Sequence, residues 1–239
     1  VCRRVVITGL GAVTPLGNDV PTLWENLLAG RSGVRRITSF DPSALEVQIA
    51  AEVTDFDPVA LFGRKEARRN DRFALMAWEA ARQAIADAGL QFDAALGQTT
   101  GVLIGTGIGG FLTLLEAYDT FLTRGPRRVS PLMVPMMMPN AASATVAIAY
   151  GLRGPNLSLA TACATGSHAI GEAAAIIRRG AAQAMICGGS EAVLAPLALA
   201  GFKNMGALST RNDEPERASR PFDAQRDGFV AGEGAGVLI

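Results

Sequence analysis

Short apolar runs alternate along the chain with longer stretches of helical period, the pattern expected of α/β layering. Arg4–Thr8, Gly101–Gly105, Asn156–Ala160 and Ala184–Gly188 read as strands. The first of these, ending at Gly9-Leu10-Gly11, reads as a buried strand entering a turn and is too short for a signal peptide. The clearest helix is Asp71–Ala88, where Ala74, Trp78, Ala81, Ile85 and Ala88 recur at steps of 4, 3, 4 and 3 and Gly89 supplies the stop. A second runs from about Cys163 to Arg179, with Ile170, Ala173, Ala174 and Ile177 on one side and Gly180 after it. Pro21–Ala29 reads as a shorter helix opened by its proline. The polar stretch Ser209–Asp227, with Pro215 and Pro221, reads as a long surface loop compatible with order. Gly234–Ile239 is a strand pattern that stops without cap, turn or polar tail. Domains rarely end inside a central strand, so a larger protein is expected to continue beyond Ile239.

Composition narrows the class. With 239 residues and 49% hydrophobic content the chain can bury a substantial core, and wholesale disorder is excluded. Basic and acidic residues balance at 22 each, which leaves no whole-chain attraction to nucleic acid or membrane. Cys2, Cys163 and Cys187 are too few and too scattered for a disulfide framework, and one histidine, His168, leaves a zinc site short of ligands. Val129–Leu152 carries no charged residue, but Pro131, Pro135 and Pro139 would interrupt a lipid-facing helix. It reads as buried or interfacial. The expectation is a cytoplasmic α/β protein without metal.

Three features carry candidate chemistry. Gly105-Thr106-Gly107-Ile108-Gly109-Gly110 satisfies G-x-G-x-x-G between a strand and a helix, which would suit a dinucleotide. No Asp or Glu lies between Asp119 and Glu172 to hold a ribose, however, so glycines serving a tight turn and close packing are the stronger reading. Cys163 stands where a strand runs into a helix, among Ala162, Ala164, Thr165 and Gly166. Unpaired N–H groups there stabilise a thiolate and can hold an oxyanion. A small buried hydrophobe is the competing reading for Cys163 and the preferred one for Cys187. On a shared helix His168 would point about 140° away from Cys163, so it reads as packed or hydrogen-bonded. The basic residues of Arg64–Arg72 and the trio Arg124, Arg127 and Arg128 read as a solvated face or as a docking patch for an acidic partner. Met133, Met136, Met137 and Met138 read as core or interface before ligand pocket.

Taken in order, Val5–Gly11, Gly105–Gly110, Tyr150–Pro155, Thr161-Ala162-Cys163-Ala164-Thr165-Gly166, Ala207–Asn212, Ser219–Asp223 and Arg226–Phe229 resemble the β-ketoacyl-[acyl-carrier-protein] synthases, most of all the synthase II type. The resemblance spans essentially the whole chain. It implies a thiolase-like α-β-α-β-α fold, of which residues 1–239 would be the N-terminal half. It implies a decarboxylating condensation in fatty-acid elongation with Cys163 as acyl acceptor, without cofactor. Two histidines, a lysine and a second oxyanion donor are expected in the C-terminal half, so this chain alone should not condense. Ile108, Met133, Phe202 and Phe229 fall where relatives line or border the acyl pocket. Lys65, Arg68, Arg69, Arg127 and Arg128 fall where they dock acyl-carrier protein, while Gly206 stands where a basic residue is frequent, with Lys203 nearby. A homodimer is implied, with Met133–Met138 close to its interface. The alternatives are a polyketide-type ketosynthase, a truncated half that binds or dimerises without catalysis, and the nucleotide-binding oxidoreductase of the glycine motif. Cys163 argues against a chain-length factor, which carries glutamine there.

Overall fold

Four helix starts are written into the chain as aspartates. Asp19, Asp57, Asp71 and Asp93 each turn a carboxylate onto N–H groups of the following first turn, a bond worth about 1 kcal/mol. The structure, a computed structural model, describes residues 3–239, so Cys2 lies outside the described residues. In chain order the elements begin β1 (Leu10–Val13), α1 (Val20–Leu28), β2 (Arg35–Arg36), β3 (Ile49–Ala50), α2 (Pro58–Ala67) and α3 (Arg72–Asp87). Next come α4 (Ala94–Thr99), β4 (Thr100–Gly105), α5 (Phe111–Arg124), α6 (Met133–Met137), α7 (Ala141–Tyr150) and β5 (Asn156–Leu157). The remainder are α8 (Thr165–Arg178), β6 (Ala184–Glu191), α9 (Pro196–Asn204) and β7 (Gly234–Leu238).

The chain divides into two compact units. One comprises Val1–Val13, Asp57–Ala192 and Ala235–Ile239; the other comprises Thr14–Phe56 and Val193–Gly234. The first holds a mixed five-stranded sheet in the order β1-β7-β6-β4-β5. β4 runs parallel to β5 and β6, with Leu103 opposite Cys187, while β1 runs antiparallel to β7. Leu103, Met185 and Cys187 pack with Ala169, Ala173 and Ile176 of α8. Alternation sends Val102, Ile104 and Ile186 to the opposite face, which α3 and α7 cover. There Ser143, fully buried on α7, takes the Ile104 N–H at 2.9 Å and donates to the Leu157 carbonyl at 2.7 Å, fastening α7 to two strands.

Helix α3 matches the predicted span within a residue at each end, but its burial is wider than the predicted stripe. Phe73–Ala77 and Glu79–Ala81 are all buried, because β1, β6 and α7 pack around the helix. Trp78, inside that stripe, is only half-buried and stacks on Phe62 at 4.3 Å. The buried Glu79 is held by Arg82 at 2.7 Å and Gln83 at 3.0 Å.

The first strand departs from expectation. It forms at Leu10–Val13 on the sheet edge, not at Arg4–Thr8, and Val6 and Ile7 are exposed. The Thr8 N–H donates to the Ile239 carbonyl and the Ile239 N–H to the Gly9 carbonyl, both at 2.9 Å, next to the pairing of Leu10 with Leu238. A Cβ on Gly9 or Gly11 would lie 2.1 or 1.9 Å from the carbonyl oxygens of Ala84 and Ala80, so the strand rests directly on α3. Asp87 and Gln83 of α3 accept the N–H groups of Leu10 and Ala12, which blunts the edge. Three other spans also shift. β5 is confined to Asn156–Leu157, β6 runs on to Glu191, and α8 starts at Thr165 because the chain turns sharply at residues 161–164.

In the second unit Ile37, Val47, Ile49, Leu194, Leu199 and Leu208 form the core. Helix α1 begins one residue before the predicted proline start and buries no residue. Residues 209–227 are ordered as a loop with one 3₁₀ turn at Pro215–Arg217. Asp227 takes the Ser209 hydroxyl at 2.8 Å, and Asn212 bridges the Gln48 N–H and the Glu46 carbonyl at 2.9 and 2.8 Å. Among the described residues no helix is long and apolar enough to cross a membrane.

Candidate active site

The turn carrying Cys163 is held from three sides. Ala162, immediately before it, has φ +51°, a left-handed conformation that costs a residue with a Cβ about 1–2 kcal/mol. Thr165 secures that conformation. Its Oγ1 accepts the Thr161 N–H at 2.8 Å and donates to the Ala162 carbonyl at 2.7 Å, closing the turn on itself. Backbone bonds from Ala164 to Thr161 and from Thr165 to Ala162 complete it. Thr165 is 4% exposed, and a Cβ on Gly105 would lie 2.3 Å from its methyl group. The first glycine of G-x-G-x-x-G therefore makes room for Thr165.

Cys163 is a free, exposed thiol on this turn. It precedes α8 instead of occupying its first turn, since Ala164 is the N-cap and offers no side-chain cap. The residue still sits beside the N-terminal end of a 14-residue helix, where a developing oxyanion is favoured. Such a thiol can accept an acyl group from a thioester and later release it. Cys187 is the opposite case: burial in β6 pushes its thiol up to about 11.

His168 is hydrogen-bonded, as expected, but exposed and not packed. Its Nδ1 lies 2.7 Å from Thr161 Oγ1, two residues before Cys163. The helical angle between His168 and Cys163 has no meaning here, because Cys163 is not on the helix. Leu159, Thr161, Ser167, His168, Gly171 and Glu172 line a cleft of about 350 Å³ along this face. A larger cavity of about 890 Å³ lies wholly in the second unit, bordered by Gly206, Arg220, Phe222, Arg226 and Phe229.

The glycine-rich loop is not open to a phosphate. The Thr106 hydroxyl and the Gly107 N–H both donate to the Glu191 carboxylate, at 2.9 and 2.7 Å. An acid in the cradle overturns the nucleotide reading. Glu191 itself carries no sequence signal as a partner of this loop; only the glycine at position 107 hints that something approaches closely.

The other site residues divide between the units. In the first, Ile108 is exposed in the glycine loop, and Met133 is half-buried at the start of α6, which the loop touches through the Gly110–Met137 hydrogen bond. In the second, Phe202 and Phe229 meet edge to face at 5.6 Å. Lys65, Arg68, Arg69, Arg127 and Arg128 are all exposed in the first unit, and none has an ion-pair partner among the described residues. Lys203 is engaged, with Glu46 at 3.1 Å.

The family model for the β-ketoacyl synthase N-terminal domain matches residues 2–239. The chain is 53% identical over 237 residues to the 3-oxoacyl-[acyl-carrier-protein] synthase 2 of Coxiella burnetii, covering 99% of this chain and 57% of that protein. Among solved structures, a β-ketoacyl synthase from Burkholderia phymatum superposes with a TM-score of 0.87 at 37% identity, over 98% of this chain and 57% of the other. A ketosynthase solved in complex with its type II polyketide acyl-carrier protein and bound to a hexaketide superposes at 0.84 with 32% identity, covering 99% and 57%. The chain thus spans a little over half the length of these relatives, and its mixed α/β fold is the thiolase-like fold of ketosynthases.

Proposed function

The chain belongs to the β-ketoacyl synthase family, and we propose that it is the acyl-accepting N-terminal ketosynthase domain of a 3-oxoacyl-[acyl-carrier-protein] synthase of type II. The observation that carries this reading is the exposed Cys163 thiol on a strained, clasped turn at the start of α8.

In the proposed reaction the Cys163 thiolate attacks the thioester carbonyl of an acyl-carrier protein. The carrier thiol leaves and an acyl-cysteine remains. Malonyl-carrier protein then loses carbon dioxide, and the resulting carbanion attacks the acyl-cysteine carbonyl. The Cys163 thiolate departs, giving a β-ketoacyl chain two carbons longer. The Cys163 N–H, beside the helix end, is the oxyanion donor this chain supplies. The remaining donor and the decarboxylating His, His and Lys would come from the rest of the protein. This thiol chemistry calls for no cofactor.

Ile108, Met133, Phe202 and Phe229 are the proposed acyl-pocket residues. Lys65, Arg68, Arg69, Arg127 and Arg128, exposed and without acidic partners among the described residues, suit an acidic carrier protein, which a salt-dependent attraction would steer. A cytoplasmic homodimer is part of the same reading: β5 is an edge strand with Leu157 exposed, and Ile148 of the neighbouring α7 is 81% exposed. The test is condensation by the full-length protein. Hexanoyl- and malonyl-carrier protein should yield a β-keto product longer by two carbons; no such product from correctly folded protein would overturn the reading.

A further inference from the structure

The proposed chemistry leaves most of the glycine motif unused, and the geometry gives it a task. Glu191 ends β6, and its two oxygens take the Thr106 hydroxyl and the Gly107 N–H. Thr106 Oγ1 in turn accepts the Gly109 N–H at 3.0 Å, so one carboxylate governs both limbs of the loop. A Cβ on Gly107 would lie 2.7 Å from Glu191 Oε2, and one on Gly110 would lie 2.4 Å from the Met136 carbonyl oxygen. Gly109 has φ +86°. The loop is wound between an acid on one side and α6 on the other, and Ile108 stands in its middle, 46% exposed.

Holding an acid here is costly. Burial pushes the Glu191 carboxyl up, against its hydrogen bonds, and the nearby Asp71 acts in the same upward direction. Asp71 is engaged with Thr113 of α5, at 2.9 Å to its N–H and 2.6 Å to its hydroxyl, as well as capping α3. Both ends of the segment that presents Ile108 are therefore pinned by carboxylates, the half-buried Glu191 and the buried Asp71.

We propose that Glu191 is a positioning residue for acyl-chain selection: it fixes the Thr106–Gly109 backbone and thereby the place of Ile108 in the pocket wall. The inference rests on the ketosynthase reading and on Ile108 as a pocket residue. Its test is the rate of Cys163 acylation in the full-length protein with hexanoyl- and with tetradecanoyl-carrier protein, in wild type, Glu191→Gln, Ile108→Ala and the double variant. Glu191→Gln should change the ratio of the two rates by roughly 5- to 10-fold toward lost discrimination, the scale of small pocket changes. Adding it to Ile108→Ala should change little more, since both act through one side chain. Thr106→Val should shift the ratio in the same direction and Thr106→Ser should restore it, which keeps the test decisive if Glu191→Gln does not fold. An unchanged ratio in folded variants, or full additivity in the double variant, overturns the inference. Wild type that acylates Cys163 without discriminating between the donors overturns it too. Wild type that does not acylate Cys163 at all overturns the underlying ketosynthase reading instead.

Discussion

Cys163 and Cys187 are free cysteines in one compact unit with opposite surroundings. Cys187 is 6% exposed within regular β6, clustered with Leu103, Ala169 and Ala173, and desolvation lifts its thiol to about 11. Cys163 is exposed after a residue with positive φ, on a turn closed by Thr165, next to the start of α8. Each stands on or just beyond a strand of one sheet. The difference lies in what the backbone does next: β6 carries Cys187 onward through the layer, whereas the chain after β5 turns and delivers Cys163 to a helix end. The role proposed for Cys163 therefore rests on the turn.

The largest effect that can break this comparison is loss of the thiol. Cys163→Ala in the full-length protein should lower acyl transfer by about a thousandfold or more, as loss of a nucleophile does. Cys187→Ala should keep acyl transfer and cost about 1 kcal/mol of stability, from one lost buried atom. Parallel rate and denaturation measurements check both. If the two variants lost activity equally, the contrast would fail.

Thr165→Val probes the turn itself. It keeps the shape but removes the acceptor for the Thr161 N–H and the donor to the Ala162 carbonyl, leaving polar groups unpaired at about 1–3 kcal/mol. Acylation of Cys163 should slow by roughly tenfold, as the turn loosens. Thr165→Ser, which retains the hydroxyl, should recover most of the rate. Stopped-flow acylation of the two variants separates the hydroxyl from mere bulk.

A pH titration sharpens the Cys187 side. The folded state holds that proton more tightly than the unfolded chain, whose thiol ionises near its ordinary value. Stability is therefore full below about pH 9 and declines as pH rises toward 11, by on the order of 2 kcal/mol. Cys187→Ala should lack that part of the slope in urea denaturation between these pH values. The smallest effect belongs to Ala162→Gly, which relieves the left-handed conformation but loosens the unfolded chain. A net gain of about 0.5 kcal/mol is expected in the same assay.

Much of this was legible in the chain. The helix at residues 72–87 was announced by its period and by Gly89, and β4 and β6 by short apolar runs. Cys163 was visible as a strand-to-helix cysteine among small neighbours. What escaped is long-range or conformational. The positive φ of Ala162 has no composition signal, since alanine rarely adopts it. The Glu191–Gly107 bond joins residues 84 apart in sequence, and Asp71 reaches Thr113 across 42. The first strand was placed at residues 4–8 on their apolar character, whereas the regular pairing with β7 covers Leu10–Val13. The nucleotide reading of the glycine motif failed on the same point: its glycines make room for Thr165, an acid and a neighbouring helix, not for a phosphate.

Cys163, and not Cys187, is the proposed acyl acceptor. The direct measurement is to incubate the full-length protein with radiolabelled hexanoyl-carrier protein, quench in acid, digest, and assign the label to peptides. The label should sit as a hydroxylamine-sensitive thioester on the peptide bearing Cys163, with none on the peptide bearing Cys187. Label on Cys187, or no thioester on a folded protein, would contradict the account.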